Sequence, residues 1–146
     1  MLENKRKRSI LSFLIILNFI LIIISLVRIR FSYAQVEKYT NMASNEYKDD
    51  YTKEINNDII GSINLGNKTY LLAQTDNNKY YLHHNYEKQE DRFGAIFVDY
   101  RCSLLDNTNC YIYGHSSKDL PFNILFKYQD KDFLNSNNIV TVNYKG

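Results

Sequence analysis

Eighteen consecutive residues, Ile10 to Val27, carry no charge, and only Ser12, Asn18 and Ser25 interrupt their apolar character. At 1.5 Å rise per residue a helix of this length spans about 27 Å, close to the roughly 30 Å hydrocarbon core of a bilayer. Lys5, Arg6, Lys7 and Arg8 precede the run, whereas only Arg28 and Arg30 follow it. The positive-inside rule therefore predicts a single-pass anchor over residues 9–30 in the cell membrane, with residues 1–8 as a cytoplasmic basic tail and the remainder exported. A cleaved signal peptide competes with this reading, since Ser32-Tyr33-Ala34 has the small-x-small form of a cleavage site. Retention is favoured, because the run exceeds an ordinary signal-peptide core and two arginines separate it from that site.

The anchor also distorts the overall charge. The formal net charge is +2, but beyond residue 30 there are 12 basic and 15 acidic residues, a net of −3. A mildly acidic exterior lacks the basic face that neutralises phosphates, so nucleic acid is excluded as a partner.

Tyr33, Val36, Tyr39, Met42, Ala43, Tyr47, Tyr51 and Ile55 recur at three- to five-residue spacing among Glu, Lys, Asp and Asn. This spacing predicts a juxtamembrane amphipathic helix over residues 31–57, with its tyrosine stripe packed on the following domain. Beyond Asn57 short apolar runs alternate with Asn, Asp and Gly, the mark of strands and turns. Strands are expected at Ile59 to Leu65, Thr69 to Gln74, Ala95 to Asp99, Cys110 to Tyr113 and Ile139 to Asn143. Short helical pieces are expected at Asn78 to His83, from Pro121 through Tyr128, and at Asp130 to Leu134. Residues 58–146 thus read as one mainly β domain with peripheral helices. Tyr144-Lys145-Gly146 directly follows an expected strand, which suggests an incomplete folding unit.

One segment, Asn109-Cys110-Tyr111-Ile112-Tyr113-Gly114-His115-Ser116-Ser117, sets a histidine after a strand and a glycine. An imidazole titrates near neutral pH and can both give and take a proton, so His115 is the candidate catalytic residue. His83 and His84 are neighbours and point apart on any helix, so they are read as structural. No Cys or carboxylate cluster supports the histidines at ligand spacing, so neither a metal nor a cofactor is expected. Cys102 and Cys110 are too few for a disulfide framework; an oxidising location permits a bridge without requiring one, and two unpaired small side chains are the favoured reading.

Three blocks occur in order: Tyr81-Leu82-His83-His84, then Gly94-Ala95-Ile96-Phe97-Val98-Asp99-Tyr100-Arg101, then Ile112-Tyr113-Gly114-His115. This series resembles the class B sortases, membrane-anchored cysteine transpeptidases of Gram-positive bacteria, from about Ile59 to Val142. The resemblance implies a sortase β-barrel, here incomplete, and matches His115 to the family's catalytic histidine. It also implies an enzyme that cleaves the sorting signals of secreted proteins and joins them to an amine of cell-wall peptidoglycan.

The family's Thr-Cys block and the arginine beyond it have no counterpart in the 146 residues. Cys110 cannot replace that nucleophile, since five residues of extended strand place it roughly 16 Å from His115 and on the opposite face. Cys102 could approach across a hairpin through the Leu104 to Thr108 loop, but it stands where Asn is usual in the family and reads as drift. Arg101 matches a structural block, so no catalytic cysteine or arginine is assigned. Ser116-Ser117 in place of Asn-Met, and Leu120-Pro121 in place of a glycine-bearing turn, depart from the family on the substrate side. The expectation is a truncated and inactive sortase; the alternative is a non-catalytic, membrane-tethered scaffold that pairs with a separately encoded second half.

Overall fold

The computed structural model describes residues 2–44, 55–106, 109–117 and 120–144. Tyr47 and Tyr51 of the expected tyrosine stripe, Thr108 of the expected hairpin loop, and Lys145 and Gly146 lie outside them. The chain divides into two compact units, Met1–Ala34 and Gln35–Gly146.

A single helix, α1, runs from Leu2 to Ser44, covering the apolar run and the first part of the expected juxtamembrane helix. Its apolar stretch is long enough to cross a membrane. Asn18, the amide within that stretch, donates from Nδ2 to the Leu14 carbonyl at 3.0 Å, satisfying one of its hydrogens inside the helix. No Pro or Gly occurs between Leu2 and Ser44, so nothing breaks the backbone where the composition changes near residue 30. Within the second unit Tyr39 is buried and meets Tyr86 edge-on at 5.0 Å between ring centres.

Five strands form one sheet in the order β4-β3-β2-β1-β5. They are β1 (Ile59–Leu65), β2 (Lys68–Ala73), β3 (Phe97–Val98), β4 (Ile112–Tyr113) and β5 (Thr141–Tyr144). β1 and β2 form an antiparallel hairpin, β3 lies parallel to β2, β4 antiparallel to β3, and β5 antiparallel to β1. A 3₁₀ turn at Tyr80–Leu82 sits between β2 and β3. After β4 come a second 3₁₀ turn, Pro121–Asn123, and two short helices, α2 (Ile124–Lys127) and α3 (Lys131–Ser136). Asp130 caps α3 by accepting from the Phe133 amide at 2.8 Å.

Over β1, β2 and β3 both faces of the sheet are covered. One carries Tyr39, Ile59, Leu71, Ala73, Tyr81 and Phe97; the other carries Ile63, Leu65, Tyr70, Leu72, Val98 and Phe122. Along β2 the two sets alternate residue by residue, as a pleated strand requires. β1 departs from strict alternation, because Ile59 faces one core and Ile63 the other. A register shift between Ile59 and Gly61 explains this, since an extra residue in a strand reverses the side-chain phase.

The shared border of β2 and β3 is short, with Ala73 and Phe97 the paired residues. Tyr86 extends it: its buried hydroxyl donates to the Leu71 carbonyl at 2.6 Å and accepts from the Ile96 amide at 3.1 Å. This tie shortens β3 relative to the expected Ala95 to Asp99, since Ala95 donates to Tyr81 and Ile96 to a side chain. β4 is likewise shorter than the expected Cys110 to Tyr113, although the Asp99 amide still reaches the Tyr111 carbonyl at 2.9 Å.

The expectation of unpaired cysteines is corrected. Cys102 and Cys110 form a disulfide with their Cα atoms 5.5 Å apart. Antiparallel pairing of β3 with β4 returns the chain on itself and brings the two residues together, and the signal that reveals this is register rather than spacing.

Beside the bridge Asp99, only 1 % exposed, directly follows β3. Its carboxylate accepts a bidentate pair from Arg101 at 2.8 and 2.9 Å, the Asn78 amide at 2.9 Å and the Tyr113 hydroxyl at 3.0 Å. The Arg101 guanidinium, above all, holds this carboxyl well below the usual carboxylate range.

Two outcomes follow for the full chain in detergent. The bridge closes a nine-residue loop and contributes about 2.5 kcal/mol on chain-entropy grounds, so reduction, or Cys102→Ser with Cys110→Ser, lowers the urea midpoint of unfolding. An unchanged midpoint would show that the bridge carries no stability. Because the folded-state affinity of Asp99 for a proton is depressed, its stabilisation is full above about pH 4 and is lost as pH falls further. Melting temperature recorded from pH 7 to pH 2 should drop below pH 4, and Asp99→Asn should melt lower at pH 7 with a shallower acid decline; equal declines in both proteins would refute the assignment.

Candidate functional site

The site is built where the chain leaves β4. Gly114 follows Tyr113, and a Cβ there would stand 3.0 Å from the Phe122 ring and 3.1 Å from Ile96, so a larger residue would require these side chains to give by a few tenths of an ångström. The next residue, His115, is partly buried, and its Nε2 lies 2.9 Å from the Leu82 carbonyl oxygen. The catalytic candidate read from the sequence is thus fixed against the last residue of the Tyr80–Leu82 turn.

That turn is anchored from below. Tyr81, 1 % exposed, donates its hydroxyl to Asp58 at 3.0 Å and also meets the Asn56 amide. Burial, chiefly, pushes the Tyr81 phenol upward, which keeps it a proton donor at any physiological pH. Asn56 in turn donates to the Tyr86 carbonyl at 3.1 Å, and Lys88 pairs with Asp58 at 3.0 Å. On the outer side Glu87 pairs with Lys38 of α1 at 2.6 Å, and that ammonium is the first cause of the lowered proton affinity of Glu87.

A cavity of about 30 Å³ lies behind the histidine, lined by Gln35, Tyr39, Tyr86, Asp91, Ala95 and His115 among others. It accommodates one or two water molecules, and it is far too small for a peptide.

The remaining candidates are not gathered there. His84 stacks on Tyr80 at 4.0 Å and its Nδ1 bonds the Tyr80 carbonyl at 2.8 Å, a packing role in line with the sequence reading. His83 is exposed. The two cysteine sulfurs are bound to each other, so neither Cys102 nor Cys110 is a thiol. Arg101 is held by Asp99. Among the described residues no group of three or more His, Cys, Asp or Glu side chains could hold a metal ion. What sequence reasoning missed is the Leu82 carbonyl, a backbone atom with no signature in residue type.

No family model matches the chain. The chain is 44 % identical to sortase B of Listeria monocytogenes over 87 residues, covering 56 % of this chain and 35 % of the relative. Sortase B of Staphylococcus aureus is 33 % identical over 97 residues, covering 64 % of this chain and 40 % of the relative. Among solved structures, sortase B from Bacillus anthracis in complex with AAEK1 superposes with a TM-score of 0.69 at 29 % identity, covering 79 % of this chain and 63 % of that one. The chain therefore spans 35–40 % of the length of these curated relatives. Over the part of these relatives that it spans, the chain is similar in sequence and in fold to class B sortases.

Proposed function

We propose that this protein carries the histidine part of a class B sortase-type transpeptidase, held by residues 9–30 in the cell membrane with its domain on the outer face. The observation that carries this reading is His115, which follows β4 and Gly114 and is bonded to the Leu82 carbonyl, in a chain 44 % identical to a sortase B over 87 residues. Orientation follows from four cations before the apolar run against two after it. The substrates are secreted proteins bearing a sorting signal, and the acceptor is an amine of cell-wall peptidoglycan.

In such a reaction a thiolate attacks the backbone carbonyl of the sorting signal. A C–S bond forms, the C–N bond breaks, and the departing amine takes its proton from the histidine. The wall amine then attacks the thioester and passes a proton to the imidazole; the new C–N bond forms as the thiolate leaves. Neither the thiolate nor a guanidinium free to stabilise developing oxyanion charge comes from Cys102, Cys110 or Arg101, which are all engaged. On this reading the thiolate is supplied from outside the 146 residues, and no turnover is expected from these residues by themselves.

A second reading, a non-catalytic scaffold that accepts a complementary piece, is favoured by β5. All four of its residues are exposed, Val142 and Tyr144 among them, and β5 forms one end of the sheet order.

One experiment separates the readings. The full chain in nanodiscs is mixed with fluorogenic sorting-signal peptides, with and without a separately expressed segment bearing the Thr-Cys and arginine blocks of a class B sortase. No cleavage is expected from the chain alone, and thiol-dependent cleavage is expected from the mixture, falling about 100-fold or more in His115→Ala. Thiol-dependent cleavage by the chain alone would refute the half-site. Cleavage by the mixture that survives His115→Ala would remove the histidine from the chemistry, and tight association without cleavage would support the scaffold.

A further inference from the structure

The backbone around Leu82 is organised in a way that the reaction by itself does not require. Three successive carbonyls have three separate partners: Tyr81 accepts from the Ala95 amide at 2.9 Å, His83 from the Asp91 amide at 2.8 Å, and Leu82, between them, bonds His115. Segment 91–95 thus takes the two outer carbonyls and leaves the middle one for the imidazole. Gly94 makes this approach possible. Its φ is +59°, and a Cβ at that position would stand 2.2 Å from the Tyr81 carbonyl oxygen and 2.9 Å from the Leu82 carbonyl carbon and oxygen. Any side chain there must displace the acceptor that faces His115.

A carbonyl oxygen has no proton to give, so Nε2 of His115 is the donor and carries hydrogen whenever the bond is made. The neutral ring then keeps its lone pair on Nδ1. We infer that the Leu82 carbonyl, clamped by Gly94, sets the tautomer of His115 and makes Nδ1 the atom that exchanges protons with the reacting groups. Nε2 donates in the imidazole and the imidazolium alike, so the ring stays tethered while Nδ1 gains and loses its proton. Gly94 and Leu82 are positioning residues, acting through His115. His84 supplies a built-in contrast, because its Nδ1 is the atom that meets a carbonyl, that of Tyr80 at 2.8 Å, which assigns it the opposite tautomer.

This inference rests on the proposed role of His115, but its test needs no turnover, so the two can fail separately. Two-bond nitrogen–proton correlations of the detergent-solubilised full chain, with ¹⁵N-histidine and at alkaline pH, report the tautomer of each ring. His83→Gln, His84→Gln and His115→Gln assign the signals. For His115 the ratio of the Nε2–H to the Nδ1–H form is expected to lie about fivefold above that of free histidine, the equilibrium effect of one ordinary hydrogen bond. His84 is expected in the Nδ1–H form. In Gly94→Ala, His115 should relax to the free-histidine ratio while His84 keeps its pattern. A wild-type His115 at the free-histidine ratio, or in the Nδ1–H form, overturns the inference. A folded Gly94→Ala protein with unchanged His115 removes Gly94 from it, and if that variant does not fold, the wild-type tautomer decides.

Discussion

The site depends first on the hairpin of β1 and β2 with its extra residue at the start of β1. A strand buried on both faces has to send apolar side chains both ways, and β2 does so by simple alternation of Tyr70, Leu71, Leu72 and Ala73. β1 reverses phase between Ile59 and Gly61, which lets Ile59 join the core of Tyr39, Tyr81 and Phe97 while Ile63 and Leu65 join that of Phe122 and Ile124. Without that reversal one of the two sets would face the wrong side. The first core fixes Tyr81 and the second fixes Phe122, and His115 is positioned between the neighbours of these two rings, the Leu82 carbonyl and Gly114.

The strands were legible where local pattern and tertiary pairing agree. Ile59 to Leu65 shows the bounds expected from its apolar run and its flanking Asn and Gly. β3 and β4 contracted because their backbone groups find partners that no periodicity encodes: the Tyr86 hydroxyl on Ile96, and the Tyr81 carbonyl on Ala95. The cysteines illustrate the same limit. Along one strand Cys110 is remote from everything chemical, and only the antiparallel return of β4 onto β3 brings it against Cys102. α1 shows the reverse, for a change from apolar to amphipathic composition suggests two elements although the backbone, free of Pro and Gly, has no reason to stop.

His115 was legible for a physical reason. A glycine at a strand exit followed by an imidazole is a combination that steric crowding explains at Gly114 and that packing alone does not require at His115. Its partner was hidden, because a carbonyl belongs to every residue and Leu82 offers nothing distinctive. The nearby Gly94 is the trace of that partner in the sequence, readable once the position of the Tyr81 and Leu82 carbonyls is known.

The two ends of the β3–β4 hairpin divide the labour between stability and chemistry. At the end bearing Asp99 the carboxylate is engaged by Arg101, Asn78 and Tyr113, and the two cysteine sulfurs by each other. A guanidinium locked to a nearly inaccessible carboxylate cannot also follow the charge of a reacting carbonyl, because leaving Asp99 would strand a buried anion. At the other end His115 is bonded through a nitrogen that donates in either protonation state, which restrains the ring without engaging the lone pair of its neutral form. Saturated bonding fits the first end for holding the hairpin, and partial bonding fits the second for moving a proton. Arg101, held by Asp99, serves the hairpin, and under the proposed function the proton transfer falls to His115.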